Sequence, residues 1–343
     1  DVYKRQPHAQ RTARTLVGRR GLLPRTRQLR VWSVNHWLTR GYLNVGSELP
    51  PRFGETLPRV LSHSWIASDH GRAAPILRRV DYQIDTQDVV MCVGVNNGRD
   101  TPVPPTLAGS YNAIAVGADT GDSSGGYTTA EGAGRCKPDV VAPGGMTSFA
   151  TPAVAGCAAI LLEQADRLAL SGAENATRAE VIKAVLMAGA VKHAAWQPQP
   201  GHPLDEHLGA GRVNVDKSLR ILGGGPIAPD TRVKRGKAWS FAELPASETH
   251  GYTFHATREL GEFSVILTWH RWIEARTVRM KRGDLGSSFS FFLRAEMWTS
   301  MERSKMSNLR SETSSISCSR VISSVGACPT YCPSRSTVTA SAI

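Results

Sequence analysis

Short apolar runs bounded by turn-forming residues recur along the middle of the chain. The runs DVVMCVGV (88–95), AIAVGA (113–118) and DVVAP (139–143) are rich in β-branched residues and too short for typical helices. Such continuous runs are typical of strands that are buried on both faces of a parallel sheet. Asn96-Asn97-Gly98 follows the first run and predicts a turn.

Two longer segments show helical patterns. TPAVAGCAAILLEQADRLAL (151–170) predicts a long helix, and NATRAEVIKAVLMAGA (175–190) predicts a second one. Thr177 and Glu180 have the spacing of a capping box at the start of the second helix. Buried strands that alternate with helices predict an α/β fold with a doubly wound, mostly parallel sheet.

The pattern changes after the Gly/Pro-rich segment LGGGPIAPD, where we predict a domain boundary near residue 225. Aromatic and polar residues then alternate with period two, which predicts a small antiparallel β domain over 226–273. The last 43 residues contain twelve serines, so a shifted reading frame or a disordered tail is expected over 274–343. Residues 1–30 lack a clear apolar period, and residues 1–6 resemble a translated sequencing adaptor.

The excess positive charge lies at the two ends of the chain. Of the formal net charge of +12, residues 1–40 carry +9 and residues 271–343 carry +6, so residues 41–270 carry −3. A nucleic-acid-binding protein carries its basic surface on the folded body. The distribution therefore argues against nucleic acid as a partner.

The cysteines and the apolar runs argue against two further classes of protein. The six cysteines have no CxxC pair and no regular spacing, so neither a disulfide framework nor a zinc site is predicted from them. Uninterrupted apolar runs stay below the roughly 18 residues of a membrane-spanning helix, so no membrane partner is expected.

Ser148 stands where a loop after the third strand gives way to the long helix. Ligands and catalytic groups of open α/β sheets collect beyond the carboxyl ends of the strands. The first-turn N–H groups of a helix have no helical acceptor and favour negative charge, so an oxyanion beside Ser148 would be stabilised. The alternative is that Ser148 or Thr147 only caps the helix.

Five segments resemble motifs of the subtilisin-like serine peptidases, the subtilases, and they occur in that family's order over residues 31–225. TSFATPAVAG resembles the nucleophile motif, and KPDVVAPG resembles the segment before it. VGVNNG resembles the oxyanion loop, SYNAIAVGA the strand after it, and SHSW the strand end that pairs with substrate. The resemblance implies a sheet of the subtilisin type and serine endopeptidase activity on polypeptide substrates.

Carried over position by position, the resemblance makes Ser148 the nucleophile that forms an acyl-enzyme. It makes Asn96 the side-chain donor to the oxyanion, with Asn97 as the alternative if the register differs by one residue. Ser64 would lie on the edge that binds the substrate backbone. Met146 stands where the family usually has glycine, which could strain the approach to Ser148.

The family's aspartate and histidine motifs are missing from the expected positions. Asp119-Thr120-Gly121 imitates the aspartate motif but follows the wrong strand, so we interpret it as a loop. The histidines of this half of the chain do not fit the base in spacing or order: His8, His36, His63 and His70. A serine without its base is a poor nucleophile, so we expect this chain to hydrolyse peptides weakly or not at all.

Three functional readings follow. The leading one is a subtilase endopeptidase present as an N-terminally incomplete fragment, and the alternative is a non-catalytic module that binds extended peptides. A serine-carboxyl peptidase is disfavoured, because that group has aspartate where this chain has Asn96.

The resemblance also implies secretion or attachment to the cell envelope. Calcium is common in the family, but no acidic loop cluster indicates a site, so no cofactor is predicted.

Overall fold

The computed structural model describes most of the chain up to residue 278 and several strands beyond it. The described ranges are 2–26, 29–40, 42–51, 58–66, 72–130, 132, 135–169, 171–198, 202–233, 236–244, 249–255, 263–278, 293–294, 313–319, 321–322 and 334–342.

Six α-helices lie in these ranges. They are α1 (Val2–Leu16), α2 (Val34–Thr39), α3 (Ala73–Gln87), α4 (Thr147–Ala169), α5 (Ala179–Ala188) and α6 (Val215–Gly223).

The strands fall into a central group and a later group. They are β1 (Val60–His63), β2 (Val90–Gly94), β3 (Ile114–Ala118), β4 (Gly126–Thr128), β5 (Arg135–Lys137), β6 (Val140–Ala142), β7 (Thr231–Val233), β8 (Lys237–Leu244), β9 (Thr249–His255), β10 (Phe263–Trp269), β11 (Leu293–Arg294), β12 (Thr313–Ser319), β13 (Val321–Ile322) and β14 (Ser334–Ala342).

The central sheet has the order β1-β2-β3-β6, and each neighbouring pair is parallel. Alternate residues of its strands pack on opposite faces. Val90 and Cys92 belong to a core cluster with residues of α4 and α5, whereas Met91 and Val93 belong to a second cluster with residues of α3. Helices thus cover both faces, which confirms the predicted doubly wound α/β fold.

Helix α4 is the central helix of the larger core cluster. By length and composition it could cross a membrane, and 61% of its most apolar window is buried inside the protein. Small residues such as Ala150 and Ala155 lie fully or almost fully buried along it. Its apolar character therefore matches its position under the sheet.

The start of α5 differs from the predicted capping box. Thr177 belongs to a preceding 3₁₀ turn, and its hydroxyl donates to the carbonyl of Glu174. The Ala179 N–H instead donates to Oδ1 of Asp88, at 2.8 Å. The capping-box prediction is wrong because a carboxylate from the end of α3, 91 residues away, satisfies the first turn.

A β-rich region follows α6, as the alternation of residues predicts. Strand β14 lies between β8 and β10 and is antiparallel to both, while β9 pairs antiparallel with β12 and parallel with β7. Trp239 of β8 belongs to the same core cluster as α4, and its Nε1 donates to the carbonyl of Leu222. The domain boundaries expected from composition remain predictions.

Candidate active site

The loop after β2 and the start of α4 meet through a direct side-chain contact. Oδ1 of Asn97 accepts hydrogen bonds from the Thr147 N–H at 3.0 Å and from the Thr147 hydroxyl at 3.1 Å. Thr147 is buried, whereas Asn97 is exposed. Asn97 therefore satisfies one of the orphan N–H groups of α4 and fixes the loop to the helix.

The end of β2 and the first turn of α4 are in close contact. A Cβ placed on Gly94 would lie 2.9 Å from Oγ1 of Thr151 and 3.5 Å from Oγ1 of Thr147. The Thr151 hydroxyl in turn donates to the carbonyl of Thr147 at 2.7 Å. A glycine at position 94 thus allows the helix to begin directly against the strand.

Ser148 is the second residue of α4 and is partly exposed. Neither its N–H nor its hydroxyl has a hydrogen-bond partner within the described part of the chain. The N–H groups of Phe149 and Ala150 donate to the carbonyl of Met146. No described residue therefore engages the N–H or the hydroxyl of Ser148, which lie at the positive end of a helix.

The turn before the helix contains the unusual Met146. Its side chain is 43% exposed, and its φ is not in the left-handed region. The left-handed φ of this turn, +66°, is at Gly145. Met146 therefore needs no left-handed backbone conformation, because the neighbouring Gly145 adopts it.

Asn96 lies beside this contact and is partly exposed. Its N–H donates to the Ser124 hydroxyl at 2.9 Å, and its carbonyl accepts from the Ser124 N–H at 3.0 Å. No hydrogen bond joins its carboxamide to another described residue. The backbone of Asn96 is thus held, while its side chain remains available.

Ser64 follows β1, which lies at one edge of the parallel sheet. Its hydroxyl is buried and has no hydrogen-bond partner among the described residues. Strands β1 and β2 are parallel neighbours with His63 opposite Val93, so Ser64 and Asn96 follow adjacent strands at the same edge of the sheet.

The histidines considered as a base differ in environment. His63 is buried between Trp37 and Trp65, accepts a hydrogen bond from Nε1 of Trp65 at 3.1 Å, and has a pKa lowered by burial to about 3. It stays neutral at physiological pH. His36 is exposed beside Tyr42, and His70 lies outside the described residues.

His8 belongs to α1, which packs against α4. Its ring centroid lies 5.8 Å from that of Phe149, the residue after Ser148. The guanidinium of Arg11 also lies over the Phe149 ring, 4.9 Å from its centroid. Residues 1–30 lack a clear apolar period and so give no indication of this helix, which is apparent only from its packing on α4.

Asp119 lies after β3, and its Oδ2 is 3.8 Å from a guanidinium nitrogen of Arg212. This surface ion pair is consistent with its interpretation as a loop residue. A different aspartate, Asp139, is buried directly before β6, where it accepts hydrogen bonds from Lys137 Nζ at 2.8 Å and the Ala115 N–H at 2.7 Å. Burial alone would raise the pKa of Asp139, but the ammonium groups of Lys137 and Lys183 hold it below its usual value.

Comparison with known proteins identifies one family. Residues 51–211 match the model of the Subtilase family, and this range includes Ser64, Asn96 and Ser148. No curated protein matches the chain.

Several solved structures align with the chain at low similarity. The patellamide maturation protease PatA aligns with a TM-score of 0.35 and 24% identity, over 49% of this chain and 64% of that one. A protease from Pseudoalteromonas arctica gives a TM-score of 0.34 and 16% identity, over 51% and 53% of the two chains. Fervidolysin from Fervidobacterium pennivorans, a keratinolytic enzyme related to subtilisin, gives 0.33 and 19%, over 63% and 32%. The chain thus spans less than two thirds of the length of each.

Proposed function

Residues 51–211 of the chain match the model of the Subtilase family, and from this similarity we propose that Ser148 is the nucleophile of a serine endopeptidase. The observation that carries the proposal is the Asn97–Thr147 contact, which joins the loop after β2 to the start of α4. Ser148 follows Thr147 in sequence, and Asn96 precedes Asn97. The two candidate catalytic residues are therefore neighbours of one hydrogen-bonded junction.

In this proposal the Ser148 hydroxyl attacks the carbonyl carbon of a peptide bond. The resulting oxyanion accepts hydrogen bonds from the Ser148 N–H and from the carboxamide of Asn96. Collapse of the adduct releases the amine and leaves an acyl group on Ser148, which water then removes. The free N–H and hydroxyl of Ser148 and the unengaged carboxamide of Asn96 support these roles.

Asn97, the alternative oxyanion donor, has a positioning role through its carboxamide oxygen. Its Oδ1 accepts hydrogen bonds from the N–H and hydroxyl of Thr147, which leaves Nδ2 as its donor group, and the family resemblance places the oxyanion donor at Asn96. A residue that caps α4 fixes the direction of the free N–H groups of the first turn. We therefore assign Asn96 as the donor and Asn97 as the residue that holds loop and helix together.

The chain as given should turn over peptides slowly. The nucleophilic serine of a triad needs a base that takes its proton. His63 is buried, and its pKa of about 3 leaves it too weakly basic for this step. The same proposal includes weak hydrolysis and export from the cell. It also includes an extended peptide bound along the edge at β1, near Ser64. These parts rest on the family resemblance.

An activated ester tests the nucleophile without requiring a strong base. The full chain is incubated with p-nitrophenyl acetate, and acylated residues are located by peptide mass spectrometry. We expect acylation at Ser148, loss of this label in Ser148→Ala, and an unchanged label in the control Ser171→Ala, beyond the other end of α4. A label spread over surface serines and unaffected by Ser148→Ala would contradict the proposal.

A peptide assay separates the two readings of the family fold. Peptide binding without acylation of Ser148 would favour the non-catalytic binding module. Rapid, serine-inhibitor-sensitive peptide turnover would contradict the expected weakness of the chain but not the role of Ser148.

A further inference from the structure

Three ionisable side chains from separate elements meet away from Ser148. Asp85 comes from α3, Glu180 from the first turn of α5, and His270 directly follows β10. One ligand atom from each lies within 4.8 Å of the others. Nδ1 of His270 is 3.2 Å from Oε1 of Glu180 and 3.6 Å from Oδ1 of Asp85.

Two members of this trio are buried without hydrogen bonds. Glu180 is 0% exposed and His270 is 5% exposed. Neither carboxylate oxygen of Glu180 and neither ring nitrogen of His270 has a hydrogen-bond partner among the described residues. A buried carboxylate without hydrogen bonds is costly, so an arrangement of this kind indicates a missing ligand.

Nearby cations compensate for the carboxylates only in part. The closest guanidinium nitrogen of Arg178 is 3.6 Å from Oε1 of Glu180, too far for a hydrogen bond. Arg178 also faces Asp88, at 3.2 Å. One arginine is thus shared between two carboxylates, and the carboxylate of Asp85 adds to the negative charge.

We propose that Asp85, Glu180 and His270 bind a divalent transition-metal ion of the zinc type. Zinc bonds to nitrogen and carboxylate oxygen are about 2.0–2.2 Å, which places two tetrahedral ligands about 3.4 Å apart. The observed separations of 3.2 and 3.6 Å bracket this value. Imidazole suits zinc and its neighbours in the transition series, whereas calcium and magnesium prefer oxygen ligands alone.

The side chain of Asp85 is 18% exposed, so solvent reaches the trio at this residue. The ion would join α3 and α5 to the segment after β10, which come from three distant parts of the sequence. Because it would bind the folded chain only, it would raise the stability of that chain. This site is independent of the proposed reaction at Ser148.

Metal content and thermal stability test the site on the full chain. After dialysis against micromolar Zn²⁺, we expect one equivalent of zinc more in the wild type than in Asp85→Asn, measured by plasma mass spectrometry. Zn²⁺ should raise Tm of the wild type, and Ca²⁺ should not. Titration calorimetry should give at least tenfold weaker zinc binding for Asp85→Asn and His270→Gln.

Two control variants account for zinc held by other histidines and carboxylates. Asp166→Asn removes an exposed carboxylate paired with Arg59, and His36→Gln removes an exposed imidazole. Both should bind zinc as the wild type does. Should His270→Gln fail to fold, the partly exposed Asp85 supplies the deciding variant. Equal zinc content in the wild type and Asp85→Asn, or an equal Tm increase with Ca²⁺, would overturn the proposal.

Discussion

The carboxamide oxygen of Asn97 accepts two hydrogen bonds from Thr147, one from the backbone N–H and one from the hydroxyl. These two residues are 50 positions apart in sequence. Their contact fixes the loop after β2 to the first turn of α4, where Ser148 lies. The geometry of the candidate site thus depends on a residue that need not touch a substrate.

Replacing Asn97 separates this structural role from the oxyanion-donor role that we propose for Asn96. Asn97→Ala should lower the free energy of unfolding by about 0.5–2 kcal/mol, because a helix N-terminus loses its side-chain acceptor. Asn97→Asp keeps an acceptor and should stay closer to the wild type. Urea unfolding measures the difference.

Asn96→Ala is the matched comparison. It should change the free energy of unfolding by less than about 0.5 kcal/mol, yet lower the acylation rate of Ser148 about 100-fold, as expected for loss of one oxyanion donor. The opposite pattern, with Asn97→Ala abolishing acylation at unchanged stability, would make Asn97 the donor.

Removing the charge of Asp139 should destabilise the chain strongly. Its carboxylate lies 2.8 Å from Lys137 Nζ and 3.6 Å from Lys183 Nζ, and all three groups are buried. Asp139→Asn should cost about 3–5 kcal/mol, because two buried ammonium groups lose their counter-charge. Chemical unfolding measures this loss, and adding Lys183→Met should recover part of it.

The exposed ion pair of Arg59 and Asp166 provides the contrast, since these side chains are 46% and 53% exposed. Asp166→Asn should cost less than about 1 kcal/mol. Equal costs for the two aspartates would show that the buried cluster is hydrated rather than enclosed.

His63 should make the fold sensitive to acid. Burial lowers its pKa from 6.5 to about 3, so between these values the unfolded chain binds a proton that the folded chain does not. Stability from this group is therefore complete above pH 6.5, and it falls by about 1.4 kcal/mol per pH unit as the pH drops toward 3.

Between pH 6 and 4, His63→Gln should reduce the slope of the unfolding free energy against pH by about 1.4 kcal/mol per pH unit, which is the contribution of one proton. His36→Gln, which replaces an exposed histidine, should leave the slope unchanged. A slope that His63→Gln does not alter would mean that His63 is accessible to water in the folded chain.

The sequence predicts the sheet well because its strands are locally encoded. The continuous apolar runs at 88–95 and 113–118 contain β2 and β3, all of whose residues are buried. The predicted helix over 151–170 is also present, although α4 begins four residues earlier, at Thr147.

Contacts between distant segments could not be predicted in this way. The cap of α5 comes from Asp88, and α1 forms although its sequence has no apolar period, because it packs on α4. The trio of Asp85, Glu180 and His270 brings together residues from three elements with no shared motif. The hydrophobic pattern of the sequence indicates which helices and strands form. Contacts between residues distant in sequence depend on how those helices and strands pack.

The ring of Phe149 ties the first helix of the chain to the neighbourhood of Ser148. A change at the amino end, such as a tag or a truncation, would disturb His8 and Arg11. It would thereby alter the packing on Phe149, next to the Ser148 hydroxyl. Preparations with different amino ends would then differ in labelling rate even when residues 51–211 are identical. The choice of the first expressed residue therefore affects the chemical environment of the Ser148 hydroxyl.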